Sequence, residues 1–277
     1  MTVQPRLDRT LDDMIAEAHT IIDECVDRWQ PVAIFAAFSG GNDSTVMLDV
    51  VRDRIDGVLH VDTTIGIRQT REFVRDLCDQ WGLRLHVARP PKTYDELTLA
   101  QGFYGPKDHR YAYLQLKKDA IRVWKKTILE PRRSTTVMLL TGMRAGESTT
   151  RMTHGSDHRL EERVCWVNPI RHWTSDDMAE YRQRHPDLPR NPVNDWLGKS
   201  GECLCGCFSM GPVELEIIRD IDPDTAAQID RLQDELERQG SPYCRWGPGG
   251  QPSGEWAGPL CTGCDQALFD TTETEDR

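Results

Sequence analysis

Apolar residues recur along this chain at two spacings. From Leu11 to Trp29 they fall at helical intervals (Leu11, Ile15, Ala18, Ile22, Val26) behind early acidic residues, which predicts an amphipathic helix. Val32–Phe38 is an unbroken apolar run of the kind that fills a buried parallel strand. It stops at Ser39-Gly40-Gly41-Asn42-Asp43-Ser44, and helical spacing resumes through Val46, Met47, Val50 and Val51. Further strands are predicted at Gly57–Val61, Leu83–Ala88, Thr136–Leu140 and Arg163–Pro169, and helices over Gln69–Trp81, Tyr94–Gln101 and Tyr111–Leu129. Thr174, with Asp177 three residues on, reads as the cap of another helix. Alternation of the two element types implies an α/β fold: a doubly wound, mostly parallel sheet of five strands with helices on both faces.

Pro186 to Pro192 marks a change of composition. Beyond it strand signals fade, Gly, Pro and Trp become frequent, and an acidic helical stretch, Ile217–Gln239, is interrupted at Pro223. Three parts are therefore expected: residues 1–30 as a helix packed on the core, 31–185 as the ligand-binding domain, and 186–277 as a small cysteine-rich module.

The Ser39–Ser44 turn joins the carboxyl end of a strand to the amino end of a helix. Helical amides without an internal acceptor point outward there, together with the positive end of the helix dipole, so an anion is favoured. Gly40 and Gly41 allow close backbone approach, and the hydroxyls of Ser39, Ser44 and Thr45 are candidate donors. Ser and Asp also serve as ordinary helix caps, so the glycines alone would not single out a ligand site. Asp62-Thr63 follows the second strand, where a doubly wound sheet places its ligand. The fourth strand runs into Thr141-Gly142-Met143-Arg144-Ala145-Gly146-Glu147-Ser148-Thr149-Thr150-Arg151, whose two guanidinium groups suit bidentate phosphate contact. Lys117, Lys118, Lys125 and Lys126 would lie on one helix as either a solvated face or a phosphate-steering surface.

Charge and cysteine usage narrow the function. With 34 basic and 45 acidic residues among 277, the net charge of −11 disfavours broad non-specific binding to nucleic acid. No apolar run reaches spanning length and the opening MTVQPRLDRTLDDM has no signal-peptide core, so the expected location is the cytoplasm, away from a membrane. In that compartment nine cysteines argue for metal or redox chemistry. Cys25, Cys78 and Cys165 fall on apolar faces and read as packing. Cys203, Cys205 and Cys207 in GECLCGCF, Cys244, and the Cys261-x-x-Cys264 pair are candidate ligands of zinc or an iron–sulfur centre. Cys203, Cys205, Cys261 and Cys264 are the first choice, with Cys244 and Cys207 as substitutes; spacing does not separate the two metals.

The string S-G-G-x-D-S resembles the pyrophosphate loop of the adenine-nucleotide α-hydrolase superfamily, which includes ATP pyrophosphatases, the phosphoadenosine phosphosulfate reductase family and sulfur-inserting enzymes. It is neither a Walker A loop nor G-x-G-x-x-G. Gly142 to Arg151 resembles that superfamily's G-x-R-x-x-E-S-x-x-R, and Asn168 to Asp177 its closing strand and helix. Gly105-Pro106, His109-Arg110 and Leu116-Lys117 match in part a family segment whose usual cysteine is absent here.

The resemblance, covering residues 30–180, implies adenine-nucleotide contacts at Ser39, Gly40, Gly41, Asn42, Asp43, Ser44, Asp62, Thr63, Gly142, Arg144 and Glu147, with Asp43, Arg144 and Arg151 at the chemistry. It implies Mg²⁺ and either of two nucleotides. ATP would be cleaved to pyrophosphate while adenylating an acceptor for sulfur transfer; (phospho)adenylyl sulfate would instead be reduced to release sulfite. Relatives that perform the reduction carry a C-terminal Glu-Cys-Gly-x-His, whereas this chain ends LCTGCDQALFDTTETEDR, so the ATP reaction ranks first. Adenylyl-sulfate reductases and DNA phosphorothioation sulfurtransferases hold a [4Fe–4S] cluster, which favours iron–sulfur over zinc. Implied partners are a nucleic-acid or small-molecule sulfur acceptor and a donor such as a cysteine desulfurase. A reading of another class is a nucleotide-sensing iron–sulfur adaptor without catalysis.

Overall fold

A computed structural model describes residues 9–130, 134–147 and 156–248, with the backbone alone at 147. Helix α1 (Leu11–Trp29) starts at a reciprocal cap between Thr10 and Asp13 and buries Leu11, Met14, Ala18, Ile21, Ile22 and Cys25. Strand β1 (Ile34–Ala37) leads to α2 (Asn42–Val51), β2 (Gly57–Val61) to α3 (Arg68–Gln80), and β3 (Leu85–Ala88) to α4 (Tyr94–Gln101). Thr93 caps α4 by the same reciprocal bond with Glu96. Next come α5 (His109–Tyr113), a π-helical turn (Leu114–Lys118), α6 (Asp119–Ile128), β4 (Val137–Leu140), β5 (His158–Glu161) and β6 (Val164–Val167). Helix α7 (Ser175–Arg184) begins at Thr174, whose hydroxyl accepts from the Asp177 amide. Helices α8 (Val193–Leu197), α9 (Pro212–Ile221) and α10 (Pro223–Arg238) follow, the last two parted at Pro223.

The strands form one sheet in the order β3-β2-β1-β4-β6-β5. All neighbours are parallel except β5 and β6. Side chains alternate strictly. Ala36, Val58, Met138, Leu140, Cys165 and Val167 face α1, α2, α3 and α7 in one apolar layer. Phe35, Leu59, Val137, Leu139, Val164 and Trp166 face α6 in the other. Burying one such aliphatic side chain stabilises by roughly 1.5–3 kcal/mol, which explains why the strands read as continuous apolar runs.

Three sequence expectations change. The sheet has six strands, not five, because His158–Glu161 adds an antiparallel edge. Its hairpin turn is made by Glu162 and Arg163, both with positive φ (47° and 70°), the two-residue geometry usually supplied by Asn-Gly. The helix expected over Tyr111–Leu129 starts at His109 and passes through the π turn. Three of its four lysines are ion-paired: Lys117 with Glu202 (2.9 Å), Lys118 with Glu161 (2.7 Å), and Lys125 with Glu162 (3.5 Å), while Lys126 is exposed.

A third apolar cluster lies outside the two sheet layers. It joins Ile65, Ile67, Tyr94, Phe103, Tyr104 and Leu116 to Val193, Leu204, Ile218, Ile229, Leu232 and Trp246. The chain beyond Pro186 thus shares a core with the loops and helices after β2 and β3. Asp222 ties the same halves by polar contact, accepting from the amide of Arg68 at the start of α3 (2.6 Å) and from Thr225 in α10.

Candidate functional site

β1 and β4 are parallel neighbours at the point where the strand order reverses, so the segments that leave them emerge side by side. After β1 the chain turns at Gly40 (φ +74°), where a β-carbon would press on Thr70 Cγ2 at 3.1 Å. Gly41 is the N-cap of α2, extended at φ −78°, and supplies no side-chain acceptor. The first-turn amides of a ten-residue helix therefore face outward without an internal partner. The hydroxyls brace this turn: Ser44 and Thr45 donate to the Gly41 carbonyl (3.0 and 2.8 Å), and the Gly41 amide donates to Ser39 Oγ (3.3 Å).

The segment after β4 lies directly on that helix start. A β-carbon on Gly142 would sit 2.8 Å from the Ser44 amide nitrogen, so only glycine permits the approach. Two residues on, Arg144 Nε donates to Asp43 Oδ2 at 2.9 Å and a guanidinium nitrogen donates to the Trp173 carbonyl at 3.4 Å. Arg144 is buried, and Ala145 is held by the Arg171 carbonyl (2.8 Å). Ser39 to Ser44, Gly142 and Arg144 are thus one contiguous surface. The Glu147 side chain and Arg151 lie outside the described residues.

Asp62 and Thr63 stand at the end of β2. Burial would raise the Asp62 carboxyl, but the Thr64 amide (3.0 Å) and Arg89 Nε (2.9 Å) hold it below the ordinary carboxylate range. The buried Thr63 hydroxyl donates to the Glu202 carbonyl (3.1 Å), which ties this strand end to the cysteine-bearing segment. Ile67 N to Gly201 O and Leu204 N to Ile65 O, both 2.8 Å, continue the attachment.

Sequence reasoning missed the residues that hold the loop from behind. Asn191 is buried; its amide donates to the Gly40 carbonyl (3.1 Å) and to Thr70 Oγ1 (3.0 Å), and its oxygen accepts from the Val193 amide. Asn194 also reaches the Gly40 carbonyl, at 3.4 Å. Arg182 on α7 donates to Asn42 Oδ1; burial lowers its basicity, and the nearby Arg190 lowers it further. The signal in the sequence was Asn191 between Pro189 and Pro192, with Asn194 just beyond, which propensity alone assigns to a turn.

Cys25, Cys78 and Cys165 are buried in the layer under α1 and α3, as expected. Cys203, Cys205, Cys207 and Cys244 all belong to or pack on the third apolar cluster. The hydrogen bond to Cys205, then burial, pushes the Cys203 thiol up; for Cys205 the Cys203 contact lowers the value, but Cys207 and burial outweigh it. Among the described residues no three His, Cys, Asp or Glu side chains are placed to hold a metal ion. Cys261 and Cys264 lie outside the described residues, so the donor set for a metal is incomplete within them.

The phosphoadenosine phosphosulfate reductase domain matches residues 33–195. No curated protein matches the chain. Among solved structures, the phosphoadenylyl-sulfate reductase of Candida auris, in a phosphate complex, is similar with a TM-score of 0.48 at 17% identity, covering 68% of this chain and 93% of that one. The FMN adenylyltransferase of Candida glabrata, solved with FAD and inorganic pyrophosphate, has a TM-score of 0.48 at 13% identity, covering 68% of this chain and 60% of that one. Yeast FAD synthetase with FAD has a TM-score of 0.43 at 13% identity, covering 90% of each chain. With the family domain spanning more than half of its 277 residues, this chain belongs to the phosphoadenosine phosphosulfate reductase family.

Proposed function

We propose that this protein is an ATP pyrophosphatase of that family: it binds ATP at the Ser39–Ser44 loop, adenylates an acceptor oxygen with release of pyrophosphate, and so prepares the acceptor for sulfur transfer. The observation that carries this reading is the seating of Gly142 on the Ser44 amide, which brings Arg144 to 2.9 Å from Asp43 beside the open end of α2. Main-chain amides and a buried guanidinium then converge where phosphate charge would grow. Donors fixed before the reaction need no reorganisation as it proceeds.

Within the reading, the α2 amides and Ser39 cradle the β- and γ-phosphates, and Arg144 stabilises the oxygen that leaves from the α-phosphate. Asp43 orients Arg144 and holds the loop; Arg182, through Asn42, fixes the outer edge. Asp62, kept ionised by Arg89 and the Thr64 amide, accepts from a ribose hydroxyl. Glu147 and Arg151 are proposed at the ribose and the phosphates respectively. Mg²⁺, when bound, would screen the pyrophosphate as it separates. The residues after 186 are proposed, from the cysteine spacing and the family resemblance, as a module that holds a [4Fe–4S] cluster, or zinc, through Cys203, Cys205, Cys261 and Cys264. No step is derived through that metal. A nucleic-acid or small-molecule acceptor and a sulfur-donor protein such as a cysteine desulfurase remain the proposed partners, and the cytoplasm the proposed location; no described helix is long and apolar enough to cross a membrane.

The experiment is a paired assay on anaerobically purified protein. Pyrophosphate released from ATP in the presence of candidate acceptors supports the proposal. Sulfite released from adenylyl sulfate or its 3′-phosphorylated form, with thioredoxin and without pyrophosphate, transfers the assignment to the reductase. Nucleotide binding with neither product indicates the non-catalytic adaptor. A visible iron–sulfur absorption band, against a colourless protein with stoichiometric zinc, decides the metal.

A further inference from the structure

A cavity of about 300 Å³ opens where the loop after α4 meets the segment after α10. Its walls include Phe103, Tyr104, Tyr111 and Tyr243, with Gln101 and Asp108 as the polar groups. Four of the six tyrosines of this chain, at 94, 104, 113 and 181, are buried. The other two are Tyr111, 65% exposed, and Tyr243, 40% exposed, and both line this cavity although 132 positions separate them (243 − 111 = 132). Two large, partly exposed rings therefore line one hollow, each with apolar area that a planar ligand could cover.

The hollow is built rather than incidental. The Phe103 amide donates to the Tyr243 carbonyl (2.9 Å), which fixes one wall against the other. Gly102, at φ +86°, lies so close that a β-carbon there would meet Tyr243 Cβ at 2.5 Å. The Tyr104 hydroxyl donates to Gln115 Oε1 (2.8 Å), which locks its ring. Asp108 accepts from the Gly105 amide through Oδ2 (2.9 Å), leaving Oδ1 to receive a ligand's N–H. Among the described residues no Lys or Arg lines the cavity, and its lining offers a phosphate no cation.

We propose that this cavity binds a planar heterocycle bearing an exocyclic amino donor, a nucleobase, stacked on Tyr111 and Tyr243 with its amino edge toward Asp108. The site is separate from the Ser39–Ser44 loop and does not depend on the reaction assigned to it. It takes the ring, whereas the loop takes phosphates. If the reaction is sulfur transfer, the cavity would be a place for a nucleic-acid acceptor to seat one base; the binding test below does not require that.

Cytidine, uridine and ribose are titrated calorimetrically into the full-length protein. Saturable cytidine binding is expected, weaker uridine binding, and none for ribose. Stacking on one aromatic ring typically changes affinity by tenfold or more, so Tyr111→Ala and Tyr243→Ala are each expected to weaken cytidine binding about tenfold, while the phenylalanine variants retain it. Asp108→Asn, which can still accept from Gly105, is expected to erase the preference for cytidine over uridine. Circular dichroism and melting curves show that each variant is folded. Absence of saturable cytidine binding, or binding unaltered in both alanine variants, overturns the proposal. So does cytidine binding that disappears in Gly41→Ala, since the ring would then be entering the phosphate loop. Pyrophosphate release from ATP is read separately, so either proposal can fail without the other.

Discussion

At Asn191 one side chain satisfies three buried partners: the Gly40 carbonyl, the Thr70 hydroxyl and the Val193 amide. Truncation to alanine removes these three bonds, and a fourth to the Ser200 carbonyl (3.4 Å), from a buried position, and each polar group so orphaned costs about 1–3 kcal/mol. Asn191→Ala is expected to lower stability by at least about 2 kcal/mol in a urea titration, and to weaken ATP binding because Gly40 is released. A change below about 0.5 kcal/mol with full ATP affinity would show that Asn191 does not hold the loop. Gly142 makes the complementary case, since its missing β-carbon would strike backbone rather than a movable side chain. Gly142→Ala is expected to cost about 1–3 kcal/mol, as overpacking does, and to displace Arg144 from Asp43. Wild-type stability in that variant would mean that the two segments are not in contact. The two residues differ in how legible they were. Gly142 stood within a recognisable string, whereas Asn191 meets its acceptor across 151 positions and nothing local marks it.

The edge hairpin shows how an element escapes sequence reading. β5 carries His158, Arg159, Leu160 and Glu161, with Leu160 45% exposed, so neither an apolar run nor an apolar alternation announces a strand. Its turn is Glu162-Arg163, with no glycine or asparagine to signal positive φ. What holds it is charge: hydrogen bonds from Arg122 first, with Lys118 and Lys125 adding, depress the Glu162 carboxyl to about 2. A carboxyl depressed on folding stabilises above its ordinary value of 4.5 and loses that contribution as pH falls toward 2. Hydrogen exchange of the β5–β6 amides is therefore expected to accelerate between about pH 4.5 and 2 beyond the intrinsic rate, and Glu162→Gln is expected to abolish that extra dependence. Exchange that follows only the intrinsic rate across this range would count against the clamp. By contrast the helix that opens at Ser175 was legible, because Thr174 with Asp177 satisfies its end amides locally.

For the molecule as a whole, the mostly parallel sheet followed from alternation of apolar runs and helical spacings, and the loop from the full Ser-Gly-Gly-Asn-Asp-Ser string; the strand order did not. The shared third cluster did not, because it is assembled from residues after β2 and β3 and others more than a hundred positions later. Periodicity reports which face of an element is apolar, not which distant face covers it. The proposed boundary near Pro186 therefore separates compositions rather than cores. A chain ending at 186 would leave Ile65, Ile67, Tyr94 and Leu116 without Val193, Leu204, Ile229 and Leu232. Such a fragment is expected to lack a cooperative thermal transition, and a sharp melt near that of the full chain would show the parts to be independent. The same attachment runs from the Gly40 carbonyl through Asn191 to the Ser200 carbonyl, so hydrogen bonds link the Ser39–Ser44 loop to the segment that leads into the cysteines.

The central claim is that main-chain amides at the start of α2 grip an adenylate's phosphates. Gly41→Ala tests it most directly: its φ of −78° suits any residue, and the one tight neighbour of a new β-carbon, at 3.3 Å, is the Ser39 hydroxyl, a side-chain atom that can shift slightly, so the fold is expected to survive. Isothermal titration with ATP is expected to show binding at least about tenfold weaker than wild type at an unchanged melting temperature, because the methyl group stands where a phosphate oxygen must approach. Equal ATP affinity in the two proteins would contradict the account.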